Sequence, residues 1–333
     1  MSTQSVIFTS PATTYPAKHS VRWYLQQAWA INPLLTLLLV AALAQFIISL
    51  VGLWVDPRIV VGMPNWAKNL KFALSFLLYT PTLLWIFSLI ERHRKIAWWM
   101  ATGIGVTLLC EIALLLLQAF RGQPMHFNVA TPFDDALWVL MSQLIFLFYG
   151  FFLVSVLIYW RQLNQNRVIG WAIRLGLVIM VIGFGQGFLM TPPTADQLAQ
   201  MHSGQAVATE GAHTVGAVDG GPGLPILGWS TEHGDLRIGH FIGIHGLQAI
   251  PLLGWWLSQR RLQRRLSEGR RLALVWIGAA SYLGVVLLVT WQALRGETLL
   301  VPGMLTVSTW AALIVATVGM VLVVIRSPAR NAN

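Results

Sequence analysis

The sequence predicts an all-α, polytopic integral membrane protein of about eight transmembrane helices, N-in and C-in, with one long ordered extracytoplasmic loop. Composition, the spacing of apolar runs and the distribution of charge all lead there. Hydrophobic residues make up 56% of the chain and charged residues 10%, with a mean hydropathy of +0.65, outside the range of soluble domains. Apolar runs of about 20 residues match a hydrocarbon core about 30 Å thick at 1.5 Å rise per residue. They fall at 33–55, 70–90, 97–120, 136–160, 169–190, 240–258, 272–293 and 304–326. In lipid each span satisfies its own backbone, so each reads as a helix.

The loops orient them. Arg92, Arg94 and Lys95, then Arg161 and Arg167, then Arg260, Arg261, Arg264, Arg265, Arg270 and Arg271 sit in short connections and belong in the cytoplasm. Lys18, Arg22, Arg326 and Arg330 fall on that side too, and the expected location is the plasma or inner membrane. Tryptophans agree, with Trp98, Trp99, Trp160, Trp171, Trp255 and Trp256 at the inner interface and Trp54, Trp66, Trp138 and Trp291 at the outer one. The domain reading is a cytoplasmic tail over 1–32, a membrane domain over 33–326 and a second cytoplasmic tail over 327–333. The first tail carries no secretory signal and ends in an interfacial stretch, Val21 to Ala30, and the first span serves as an uncleaved anchor.

The net charge of +10 comes from juxtamembrane clusters with no nucleic-acid motif around them, so the expected partners are the bilayer and its anionic headgroups, not DNA or RNA. A homo-oligomer or a membrane-complex subunit fits equally. The lone Cys110 excludes an intrachain disulfide.

The connection 191–239 far exceeds the usual 4–6 or so residues. Thr194-Ala-Asp-Gln197 is a capping box, and the apolar string Leu224, Ile226, Leu227, Trp229 predicts a lid held on the outer mouth by hydrophobic anchors. Six of the eight histidines (His126, His202, His213, His233, His240 and His245) lie on that outer side. Imidazole is the commonest metal ligand and titrates near neutrality, so His126, His213, His240 and His245 are candidate metal ligands, and His240 and His245 candidate haem ligands. Five residues along a helix turn about 140° past a full circle, so His240 and His245 do not share a face of an unbroken helix. Gly239, Gly243 and Gly246 support close helix packing there instead, as does Gly183-Phe-Gly-Gln-Gly187.

Glu111 lies deep in the third span and Lys71 just inside the second, where a charge needs a partner or water; both fall in the outer half, so the geometry allows an ion pair between them. The chemistry expected is that of an enzyme or redox protein dependent on a divalent metal or haem b. In it Asp235 orients a histidine, Arg237 grips an anionic group and Glu111 exchanges a proton. A proton-coupled permease using Lys71 and Glu111, and a non-catalytic assembly subunit, are the alternatives.

Overall fold

The structure is a computed structural model that describes residues 20–162 and 166–327. Most of the predicted N-terminal tail, with Lys18 and His19, and most of the C-terminal tail, with Arg330, lie outside the described residues. Among the described residues, seven helices are long and apolar enough to cross a membrane. The chain divides into two compact units, one of residues 1–51, 69–117 and 141–162 and a second of 52–68, 118–140 and 163–333.

The first unit contains α1 (Val21–Ile31) and most of α2 (Pro33–Val55), α3 (Ala67–Ser88), α4 (Arg94–Arg121) and α5 (Pro132–Trp160). Ser20 caps α1, which buries no residue. Asn32 then starts α2, its Oδ1 accepting the Leu34 and Leu35 amides (3.0 Å each), with proline in the first helical position where no N–H is needed. Its Nδ2 donates to Thr102 Oγ1 (2.9 Å), tying the joint to α4. Farther along, Gln45 Nε2 donates to Asn69 Oδ1 (2.8 Å) and Asn69 Nδ2 to the Leu115 carbonyl (3.1 Å). Phe148 and Phe152 stack in the core beside Tyr79. At the other end Gln162 Oε1 accepts the Glu91 and Arg92 amides (3.0 Å each), closing the turn in which His93 takes a left-handed φ of 61°.

The second unit holds a hairpin, β1 (Ile59–Val60) and β2 (Met63–Pro64), whose turn residues Val61 and Gly62 both have positive φ. Asp56 receives Asn65, Trp66 and Arg58 and anchors it. Next come α6 (Arg167–Gly185), running into a 3-10 turn at Gln186–Met190, then α7 (Ala195–His202), β3 (Thr214–Val215), β4 (Gly234–Asp235), α8 (Leu236–Ile244), α9 (Gly246–Leu257), α10 (Arg260–Gln263), α11 (Glu268–Leu294) and α12 (Met304–Arg326). Val168, Ala172, Ile179, Ile250, Leu257, Val275, Ala279 and Val286 form its core. There α6 and α8 meet backbone to backbone: a Cβ on Gly183 would overlap the Gly243 carbonyl carbon. On α12 Thr306 is the buried residue, and the helix is held by Ser281–Thr317 (2.8 Å) and by Glu297, which accepts Thr306 Oγ1 (2.6 Å) and the Gly303 amide (3.1 Å). Most of its apolar surface is otherwise exposed, with Leu313 turned onto Gly284 of α11.

The expected bounds of the first and last spans coincide with α2 and α12. The sixth differs. Residues 240–258 are not one unbroken helix but parts of α8 and α9, interrupted at His245. In an unbroken helix the Ile242 carbonyl would accept the Gly246 amide; here it accepts the Tyr282 hydroxyl of α11 (2.7 Å).

In the long loop the capping box forms: Thr194 Oγ1 accepts the Gln197 amide and Gln197 Oε1 the Thr194 amide. Antiparallel β3 and β4 close it, and it runs along the 127–129 segment through Val129 N to Ala208 O (3.0 Å) and Glu210 N to Phe127 O (2.9 Å). Its expected apolar anchor forms in part: Trp229 packs edge-on against Phe241 of α8 (5.8 Å), and Leu224 and Leu227 are half-buried. Ile226 is 73% exposed, and residues 223–230 form a small self-bonded turn, with Leu224 N donating to Trp229 O and Gly228 N to Leu224 O. Polar bonds hold that turn: Arg237 donates to the Gly228 carbonyl (2.6 Å) and Asp235 Oδ2 accepts the Ser230 amide (2.8 Å).

Candidate functional site

Three chain segments of the second unit bring histidines together. The 122–131 segment is set by Arg121, which donates to Gln118 Oε1 (2.5 Å) and Asp134 Oδ1 (2.6 Å), while Thr131 Oγ1 caps the start of α5. Within it Phe127 adopts a φ of 65° and packs edge-on against Trp138 and the His213 ring (5.0 and 4.8 Å). His126 lies 6.0 Å from Trp138.

His213 comes from the long loop. Asp219 Oδ2 takes its Nδ1 (2.5 Å), and the same carboxylate accepts the His213 and Thr214 amides. A carboxylate only accepts, so Nδ1 carries the proton and Nε2 the lone pair. On α8, His240 Nδ1 donates to the Gly183 carbonyl (2.8 Å). At the helix break His245 Nδ1 meets Gln248 Oε1 (3.2 Å). Two imidazoles, His213 and His240, thus have their Nδ1 held by an oxygen that can only accept.

Burial, then the Lys68 ammonium and the imidazoles of His213 and His240, push the His126 pKa well below its usual value. Burial, then Lys68, with Asp219 opposing them, brings His213 down to about 4. Both imidazoles are therefore neutral electron-pair donors at neutral pH, and His126, His213, His240 and Lys68 share one electrostatic environment. Burial opposes ionisation of Asp219, yet its bonds from His213 hold the carboxyl well below the usual range.

Of the other candidates, Asp235 is buried and its oxygens accept Arg237 Nε (2.9 Å), Arg237 Nη2 (2.5 Å) and the Ser230 amide. The carboxylate that grips a histidine is Asp219. Arg237 is tied to Asp235 and Gly228, and with Asp219, Met63, Leu224 and His233 it lines an open cleft of about 300 Å³. Glu111 belongs to the first unit, buried at 2% exposure. Among the described residues no three histidine, cysteine or acidic side chains stand close enough to hold a metal ion as they are.

Asp219, Lys68 and Phe127 were missed in the sequence. Asp219 sits in a glycine-rich turn, where aspartate ordinarily signals only turn chemistry. The chain matches no family model, and no curated protein or solved structure is detectably similar to it.

Acid should loosen the loop. The folded state keeps His213 neutral down to about 4, whereas the unfolded chain protonates near 6.5. Stability from this site is therefore complete above about 6.5 and is lost as pH falls toward 4, by on the order of 3 kcal/mol. The depressed Asp219 pKa continues the loss at lower pH. Cleavage within 191–239 by a protease active over that range is expected to accelerate across this window, and less so in His213→Gln. A flat profile in the native protein would show that the ring is not held neutral.

Proposed function

We propose that this protein is a plasma- or inner-membrane metalloprotein or haem protein, with cytoplasmic termini and an outward-facing site, that works as a redox protein or enzyme. The observation that carries the reading is the fixed tautomer of His213 and His240. An imidazole whose Nδ1–H is held by an oxygen presents a more basic Nε2 in a set direction, as metal-ligating histidines do. His213 and His126, neutral at physiological pH, release no proton on binding a cation, so acid competes weakly. Two imidazoles suffice as axial ligands of a haem iron, whereas an open transition-metal site takes three protein ligands. Lys68 and Arg237 suit carboxylates of a haem or an anionic substrate. The positive loops at the opposite helix ends support the orientation.

Metal analysis and an absorption spectrum of detergent-purified protein test this. The native protein is expected to carry either a transition metal near one equivalent or a haem absorption. His213→Ala and His240→Ala should each remove it, and Asp219→Asn, which keeps the shape but loses the charge behind His213, should weaken binding by about 10–100-fold. Folded native protein with neither metal nor haem, and taking up neither when they are added, would end this reading.

A further inference from the structure

The first unit contains a second polar feature, independent of the histidine site. Two contacts fix the relative depth of three helices there. Gly105 of α4 packs on Leu34 of α2, and Asn69 of α3 bridges Gln45 of α2 and Leu115 of α4. The steps agree, since 34 to 45 on α2 parallels 105 to 115 on α4. α3 runs the opposite way, so Thr80 lies level with Leu34 and Ile104, about 16 Å below Asn69.

Buried polar groups occupy successive turns between those levels. Gln45 and Asn69 come first, Glu111 one turn below Leu115, Thr107 a turn further, and Thr80 with Tyr79 after that; all are buried. Among the described residues Gln45 Oε1, Thr80 Oγ1 and the Tyr79 hydroxyl have no hydrogen-bond partner. Thr80 is the informative one. Thr36, Ser49, Thr82 and Thr107 each turn the hydroxyl back onto a carbonyl of their own helix or its cap, the ordinary arrangement in a helix. Thr80, at 0% exposure, does not. Pro81, next to it, also lacks the N–H that would serve the Leu77 carbonyl.

Unsatisfied polar atoms in an apolar interior cost about 1–3 kcal/mol each, and a column of them in a membrane span marks a path for water or ions. A turn of helix rises about 5.4 Å, close to the span that one water covers between two oxygens at about 2.8 Å each. We propose that the first unit conducts protons along a water chain held by Gln45, Thr107, Thr80 and Tyr79, with Glu111 as the proton-carrying group. A hydronium on one side gives its excess proton to the Glu111 carboxylate and is left as water. The carboxylic acid formed returns a proton to a water on the other side, so no heavy-atom bond changes and no electron moves. The membrane potential supplies the driving force, about 2.3 kcal/mol per charge per 100 mV. Lys71 is the other charged side chain near this depth among the described residues of the unit, about two positions from the level of Glu111.

The test is proton uptake into liposomes containing the purified full-length protein and an entrapped pH dye, driven by a potassium diffusion potential. The native protein is expected to exceed protein-free vesicles, and Glu111→Gln to lower the rate about tenfold or more, equivalent to roughly 1.4 kcal/mol on the barrier. Thr80→Val and Tyr79→Phe remove one hydroxyl each with little change in shape, and both should slow uptake even if Glu111→Gln fails to fold. Native flux no greater than that of empty vesicles overturns the proposal, as does a native rate in folded Thr80→Val and Tyr79→Phe. Metal or haem content, unaffected by these variants, separates this outcome from failure of the histidine reading.

Discussion

Replacing Asp235 with alanine is expected to release the 191–239 loop and to destabilise the second unit by about 3–5 kcal/mol, because the change strands the Arg237 guanidinium beside a buried vacancy of charge. The carboxylate is wholly buried, and two parallel bonds join it to Arg237. It also caps α8 through the Arg237 amide (3.0 Å) and holds the Ser230 amide, so one substitution removes an ion pair, a helix cap and a loop tether together. Arg237→Lys tests the geometry separately. An ammonium keeps the charge but cannot reach both carboxylate oxygens and the Gly228 carbonyl at once, so the loss should be smaller than for Asp235→Ala yet clearly measurable. Thermal unfolding in detergent and protease cleavage of the loop report both. An Asp235→Ala protein that melts with the native protein and keeps a protected loop would show that the tether lies elsewhere.

That tether shows where sequence reading stops. Asp235 and Arg237 stand out as charges at a span's edge, and chemistry was the natural expectation for them. Their engagement with each other and with Gly228 depends on how the loop returns, which local spacing does not encode. The hydrophobic string 224–229 was legible as an anchor only in part: Trp229 packs on Phe241, whereas Ile226 stays outside and the backbone of the turn bonds to itself. The limits of α2 and α12 were legible since hydropathy alone decides them. The break at His245 was not. It arises because a tyrosine 40 residues away in sequence captures the Ile242 carbonyl. Glu111 was conspicuous as a carboxylate in an apolar run, whereas the polar column around it needs the helix register set by Asn69. The histidine cluster was legible only in part: its four members were visible, but Asp219, which fixes the tautomer of His213, looked like an ordinary turn residue.

Glycine packing was also readable, and it leads to the second large effect. Gly183→Leu is expected to disrupt the second unit more severely than the 1–3 kcal/mol or so typical of an overpacked core. The clash there is with the Gly243 backbone rather than with a side chain that can rotate away. Gly183→Ala should already be damaging. Gly150 in α5 supplies the contrast, since nothing lies within 4 Å of its added Cβ; Gly150→Ala should be neutral or stabilise by up to about 1 kcal/mol, the helix-propensity difference. The consequence for the site follows from the same contact. The Gly183 carbonyl holds His240 Nδ1, so pushing α6 and α8 apart lengthens that bond and frees the imidazole to change tautomer and direction. Gly183→Ala should therefore lower metal or haem occupancy together with melting temperature, while Gly150→Ala changes neither downward. If Gly183→Ala melts like the native protein, the two helices do not meet there as described. If it melts lower but binds its ligand as tightly as the native protein, His240 does not depend on this contact for its function.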